Sequence, residues 1–220
     1  MAGTPLIGVL ALQGDFAAHG QMLRGLGATV REVRVPGDLE DLDGLVIPGG
    51  ESTTMTLGIE REGLAQPLRD LVKEGVPVLG SCAGLIMLDR DHLGLMDVRA
   101  ERNAFGRQLQ SFEADIDVRG IAGGPLRAVF IRAPWIAEHG PGVEILAVLD
   151  GHPVAAREGE MLAVVSRGAD RRRAPAPPVP GRHPLAYVAV NLTTPSDSFS
   201  TTRPCASSRS TWPSTSDSVR

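Results

Sequence analysis

Residues 80–84 read Gly-Ser-Cys-Ala-Gly and follow directly on Val76-Pro77-Val78-Leu79. A cysteine among small residues, between a buried strand and a helix, has the form of a nucleophile elbow. The turn is sharp, and its flanking positions must be glycine or very small. The pattern puts Cys82 at the start of a helix from Ala83 to about Leu88. Unpaired N–H groups and the helix dipole there favour a thiolate over a thiol. A thiolate nucleophile also needs a base, donors for the oxyanion and a pocket that orients the substrate. The N–H of Ala83 is one donor. The second is expected from a glycine-rich turn at the carboxyl end of a neighbouring strand, and Pro48-Gly49-Gly50-Glu51-Ser52 has that form. Both segments end strands, where open α/β sheets bind ligands.

The elements that must hold these turns follow from apolar periodicity. Residues 6–12 form a continuous apolar run, as a strand buried on both faces requires. Gln13-Gly14-Asp15 reads as a turn with a helix cap, and a helix from about Phe16 to Leu26 follows, closed by Gly27. Thr29 to Val35 alternates as a second strand, and Gly44-Leu45-Val46-Ile47 is a third, broken by Pro48-Gly49-Gly50. Ser52 or Thr53 is placed to cap the next helix, and Leu64 to Glu74 is a further amphipathic helix before the strand that feeds Cys82. Strands alternating with helices predict a parallel sheet with helices on both faces. After about residue 95 the chain becomes strand-rich. Asp97–Glu101, Ser111–Val118, Leu126–Arg132, Glu144–Leu149, Val154–Arg157 and Met161–Ser166 read as strands, with Asp150-Gly151 as a hairpin turn. These predict an extended sheet and an added antiparallel layer.

Composition narrows the class of function. The 220 residues suffice for one α/β domain, and 42% hydrophobic with 22% charged residues fits a soluble globular protein. A net charge of −4 gives no reason to expect nucleic acid or an anionic membrane as partner. There is no targeting signal at the N-terminus and no stretch long enough to span a bilayer. Two cysteines in different contexts, Cys82 and Cys205, argue against a disulfide framework and for a reducing cytoplasm. No cysteine, histidine and carboxylate cluster has zinc-ligand spacing.

Five segments carry a resemblance to a known family. They are Ile7-Gly8-Val9-Leu10-Ala11-Leu12-Gln13-Gly14 with His19; Leu45-Val46-Ile47-Pro48-Gly49-Gly50-Glu51-Ser52-Thr53-Thr54-Met55; Gly80 to Ile86; Glu101-Arg102-Asn103-Ala104-Phe105-Gly106-Arg107-Gln108 continuing to Ser111-Phe112-Glu113; and Val129-Phe130-Ile131-Arg132-Ala133-Pro134. In this order they resemble the class I glutamine amidotransferases and, more narrowly, the glutaminase subunits of pyridoxal 5′-phosphate synthases. The elbow belongs to the whole superfamily, whereas the segments around Arg102 and Arg132 are narrower signals.

The resemblance implies a three-layer, flavodoxin-like, mostly parallel sheet flanked by helices, with extra antiparallel strands in the second half. It implies that Cys82 attacks the side-chain amide of L-glutamine, forming a glutamyl thioester and releasing ammonia. Gly50 and Ala83 would hold the oxyanion through their N–H groups. Gly50, Glu51, Ser52, Arg102, Ile131 and Arg132 match the positions that hold glutamine, and arginine suits an α-carboxylate because its fork binds both oxygens. No metal and no organic cofactor is implied. The implied partner is the synthase subunit, in a hetero-oligomer, which accepts the ammonia and to whose docking the Gln13-Gly14 region responds.

The chain departs from the family after Ser166. There the family continues with Phe-His-Pro-Glu-Leu, whose histidine is the base to the cysteine and whose glutamate orients it. This chain reads Arg167-Gly168-Ala169-Asp170 instead. His183-Pro184-Leu185 is a late echo without the glutamate, His19 matches a different family position, and His92, His139 and His152 read as loop or surface residues. An amidotransferase domain over residues 1–166 and a disordered tail over 167–220 are expected, the tail's Ala/Arg/Pro and Ser/Thr/Pro composition being that of an out-of-frame translation. Three functions remain open: a glutaminase, a glutamine-binding regulatory partner that has lost its base, and another cysteine amidase or γ-glutamyl hydrolase.

Overall fold

The apolar runs become the middle of a seven-stranded sheet. The computed structural model describes residues 4–102, 112–119, 126–130 and 133–165. Strands β1 (Leu6–Leu10), β2 (Thr29–Val33), β3 (Gly44–Ile47), β4 (Val78–Ser81) and β11 (Met161–Val164) run parallel in the order β2-β1-β3-β4-β11. Every residue of β3, β4 and β11 is buried, which is why these segments show no alternation. Strands β10 (His152–Glu158) and β9 (Glu144–Leu149) extend the sheet antiparallel. Asp150 (φ 50°) and Gly151 (φ 81°) close that hairpin, both positive as a type I′ turn demands.

Helices α1 (Phe16–Gly25), α2 (Ser52–Arg61), α3 (Ala65–Lys73) and α4 (Ala83–Leu88) lie between the parallel strands in sequence, as the alternation predicted. Two antiparallel ribbons complete the described fold: β5 (Val98–Glu101) with β8 (Trp135–His139), and β6 (Phe112–Ile116) with β7 (Leu126–Phe130). The predicted antiparallel layer is therefore two separate ribbons beyond the β9–β10 edge. Strand β8 was not predicted, because Trp-Ile-Ala-Glu-His follows a proline and buries only Ile136 fully. The first strand stops at Leu10, earlier than its apolar run, although the Ala11 N–H still reaches the Val33 carbonyl at 2.8 Å. No helix among the described residues is long and apolar enough to cross a membrane.

Candidate active site

Cys82 sits between β4 and α4 with φ 50° and ψ −103°, outside the regions open to ordinary L-residues. Such a conformation costs about 1–3 kcal/mol and persists only where the surroundings over-determine it. Here they do. The Cys82 N–H donates to the Val164 carbonyl of β11 at 2.8 Å, and the Cys82 carbonyl accepts the Leu85 N–H at 3.1 Å. Gly84 lets α4 press against the end of β3, since a Cβ there would stand 2.9 Å from the Ile47 carbonyl carbon and closer still to its oxygen. The elbow and the turn after β3 are thereby brought together at the carboxyl ends of adjacent parallel strands, as the apolar pattern predicted. Cys82 is 7% exposed and free of any disulfide.

The Pro48–Ser52 turn is held from the β1 side. The Gly49 carbonyl accepts the Asp15 N–H at 3.1 Å, and Gln13 Oε1 accepts the Glu51 N–H at 2.7 Å. A Cβ on Gly50 would collide with Gln13 Oε1 and lie 2.9 Å from Gly14 Cα, so this junction admits only glycine. Among the described residues, the N–H groups of Gly50 and Ala83 meet no acceptor, whereas their neighbours Glu51 and Cys82 spend theirs on Gln13 and Val164.

Glu51, not Ser52 or Thr53, caps α2. Its carboxylate accepts the Thr53 N–H at 3.0 Å and the Thr54 N–H at 2.6 Å, while Ser52 and Thr53 already lie inside the helix. Hydrogen bonds from the side chain and backbone of Thr54, then from the Thr53 N–H, hold this carboxyl down at about 2, against an ordinary 4.5. Ser52 is buried, and its carbonyl accepts the Thr56 hydroxyl at 3.0 Å. Asp15 occupies the N-cap position of α1 but makes no side-chain cap bond; its carbonyl instead accepts from the backbone and ring of His19.

His19 is buried at 4% exposure and joins two parts of the site. Its Nδ1 is 2.9 Å from the Asp15 carbonyl, which can only accept, so the proton lies on Nδ1. Nε2 is then the acceptor for the Ser81 hydroxyl at 3.2 Å, one residue before the cysteine. Burial pushes the His19 pKa below its ordinary 6.5, outweighing the Asp15 carbonyl and charge that raise it. Sequence reasoning had placed His19 only at the first helix. Its spacing from Asp15 gave a signal for the first bond and none for the second.

Arg102 follows β5 in an exposed turn, and its NH2 meets His92 Nε2 at 2.8 Å. His92 is a turn residue, as expected, but half-buried and engaged at both ring nitrogens. His152 opens β10 and stacks on Trp135 at 3.6 Å between centroids, which the surface reading also missed. His139 ends β8 and is exposed. Ile131 and Arg132, two of the expected glutamine contacts, lie outside the described residues, between β7 and β8. So do residues 166–220, with the expected tail, the change at Ser166 and His183. The end of β11 is nevertheless informative. Val164 pairs with Ser81, so β11 ends level with the residue before Cys82.

The same chain matches known proteins over this region. The model of the SNO glutamine amidotransferase family matches residues 9–167. The pyridoxal 5′-phosphate synthase subunit PdxT of Streptomyces avermitilis is 50% identical over 169 residues, covering 73% of this chain and 84% of the relative. That of a Parafrankia strain is 51% identical over 168 residues, covering 72% and 83%. A crystal structure of a glutamine amidotransferase superposes with a TM-score of 0.69 at 44% identity, over 73% of this chain and 89% of the other. PurLQS from Thermotoga maritima, at 16% identity and a TM-score of 0.59, shares the fold.

Proposed function

This chain belongs to the SNO glutamine amidotransferase family, and from that premise we propose that it is the glutaminase subunit of a cytoplasmic pyridoxal 5′-phosphate synthase. Its amidotransferase domain, residues 1–166, hydrolyses L-glutamine to L-glutamate and ammonia, and the ammonia passes to the synthase subunit in a hetero-oligomer. The relatives of about 50% identity support this assignment over another amidase or γ-glutamyl hydrolase. The observation that carries the chemistry is the strained Cys82 elbow set beside a diglycine turn, with one uncommitted N–H on each side.

The Cys82 thiolate attacks the side-chain amide carbon of glutamine. Negative charge moves to the amide oxygen, where the N–H groups of Gly50 and Ala83 receive it. Collapse breaks the C–N bond, and the nitrogen leaves as ammonia once protonated. Water then attacks the glutamyl thioester through a second oxyanion in the same donors, restoring the thiol. Gly50, Glu51 and Ser52 line the substrate at this turn, where the Glu51 N–H is committed to Gln13 and the Gly50 N–H is not. The Glu51 carboxylate serves the helix cap. Arg102, with Ile131 and Arg132, takes the α-amino acid end.

Proton transfer needs a base, and the family places it immediately after β11. Arg167-Gly168-Ala169-Asp170 offers no histidine there. This one observation favours a second role, a glutamine-binding partner of the synthase that no longer turns over. Ammonia release by the full chain mixed with a pyridoxal 5′-phosphate synthase subunit separates the two. The chain as it stands is expected to be slower by about 10³-fold or more than one in which Phe-His-Pro-Glu-Leu follows Ser166. Equal rates would show that the base lies elsewhere. Silence from the completed chain would dismiss the glutaminase altogether.

A further inference from the structure

Helix α4 starts at the nucleophile and ends at a buried carboxylate. Asp89, its C-cap, is 1% exposed. Asp89 Oδ1 accepts the Asp91 N–H at 2.9 Å, the His92 N–H at 3.1 Å and His92 Nδ1 at 2.7 Å, while Oδ2 accepts the Ala100 N–H at 3.2 Å. Four donors on one carboxylate describe an ionised group that can only accept, so the His92 proton is on Nδ1. A guanidinium can only donate. His92 Nε2, facing Arg102 NH2 at 2.8 Å, is therefore a lone pair on a neutral ring. Each link in Asp89–His92–Arg102 has one permitted direction of donation.

We infer that Asp89 and His92 are positioning residues for glutamine, which hold the Arg102 guanidinium at a set place relative to Cys82. The inference rests on the proposed contact between Arg102 and the glutamine α-carboxylate. An exposed arginine samples many rotamers, and fixing one for a ligand costs side-chain entropy. His92 removes that freedom beforehand while occupying one of five N–H donors, so a pair remains for a carboxylate. Glutamine carries its reacting amide and its α-carboxylate at a limited separation, and α4 runs from Cys82 to the Asp89 that holds His92. The Asp89–His92 spacing of three at a helix end was visible in the sequence, but its link to Arg102 depends on the β5 register.

Calorimetric titration of the full chain with L-glutamine tests this, with iodoacetamide labelling of Cys82 as a measure of the elbow itself. His92→Ala is expected to raise Kd about tenfold, the equivalent of one charge-assisted hydrogen bond. Labelling of Cys82 should stay within about twofold. His92→Gln should recover most of the affinity, because its carboxamide can donate to Asp89 and accept from Arg102. Arg102→Ala should weaken binding at least as much, and His92→Ala should cost nothing further in that background. A parental Kd in His92→Ala, with Arg102→Ala weakened, would overturn the positioning role and leave the Arg102 contact standing. A second tenfold loss in the double variant would also overturn it, since His92 would then act through the fold. A parental Kd in Arg102→Ala would remove the contact and the inference together.

Discussion

Replacing Gly84 by alanine sets two effects of opposite sign against each other. Alanine is the better helix former by about 1 kcal/mol, so propensity alone makes Gly84→Ala stabilising. Packing says the reverse. The added Cβ would lie 2.9 Å from the Ile47 carbonyl carbon and nearer its oxygen, both backbone atoms of a fully buried central strand. Ordinary carbon contacts are about 3.5–4.0 Å, so α4 and β3 must part by roughly 1 Å. Neither can yield cheaply, because β3 is bonded on both sides, to β1 and β4. Overpacking of this kind costs about 1–3 kcal/mol; set against the propensity gain, a net loss near 1 kcal/mol lowers Tm by about 2–4 °C in a chain of this size. The functional loss should be larger than the loss of stability. The same 1 Å separates the Ala83 N–H from the Gly50 turn, and misplacement on that scale costs about 10²-fold. The assay is labelling of Cys82 by a chloroketone analogue of glutamine, divided by its labelling with iodoacetamide, so that thiol access cancels. The ratio should fall by about 10²-fold. Gly25→Ala is the control, since a Cβ there meets nothing within 4 Å. A Gly84→Ala chain with the parent's ratio, and a Tm at or above the parent's, would refute the view that this contact aligns the two turns.

Three further outcomes follow from the same geometry. Cys82→Gly and Cys82→Ala both remove the thiol, but only glycine relieves φ 50°, so Cys82→Gly should be the more stable by about 1 kcal/mol in urea unfolding; equality would mean the elbow stores no strain. His19 is held neutral by burial while the unfolded chain gains a proton below its ordinary 6.5, so folding stability should fall as pH drops from 6.5 through the lowered value. His19→Gln should flatten that slope, at a cost of about 1–3 kcal/mol near neutral pH, because Ser81 and Asp15 lose their partner; an unchanged slope would exclude His19 as its source. Finally, translation of the other two frames downstream of the Ser166 codon should yield a Phe-His-Pro-Glu peptide, and its absence from both would mean the base has truly been lost.

What could be read from the residues divides along a physical line. The placement of Cys82, Ala83 and Gly50 at two neighbouring turns was legible because an elbow and a diglycine turn are local, and the glycines there answer to contacts made within a few residues or across one strand pair. The parallel core was legible because β3, β4 and β11 are buried on both faces and so carry unbroken apolar runs. Strand β8 was not, since its pairing with β5 gives it a partner that its own alternation does not announce. The same distinction governs the polar contacts. A carboxylate reaching two N–H groups ahead, as Glu51 does, is a local event that a shorter side chain at Ser52 or Thr53 can mimic on paper, and only the backbone geometry decides between them. His19 with Ser81 spans 62 residues and Arg102 with His92 spans ten, and both depend on how neighbouring elements pack. These longer links join parts that the motifs leave separate: His19 ties the β1 turn to the elbow, and Asp89 with His92 ties the end of α4 to Arg102. Motifs thus place the two turns and the arginine, while contacts between distant segments set the distances between those places.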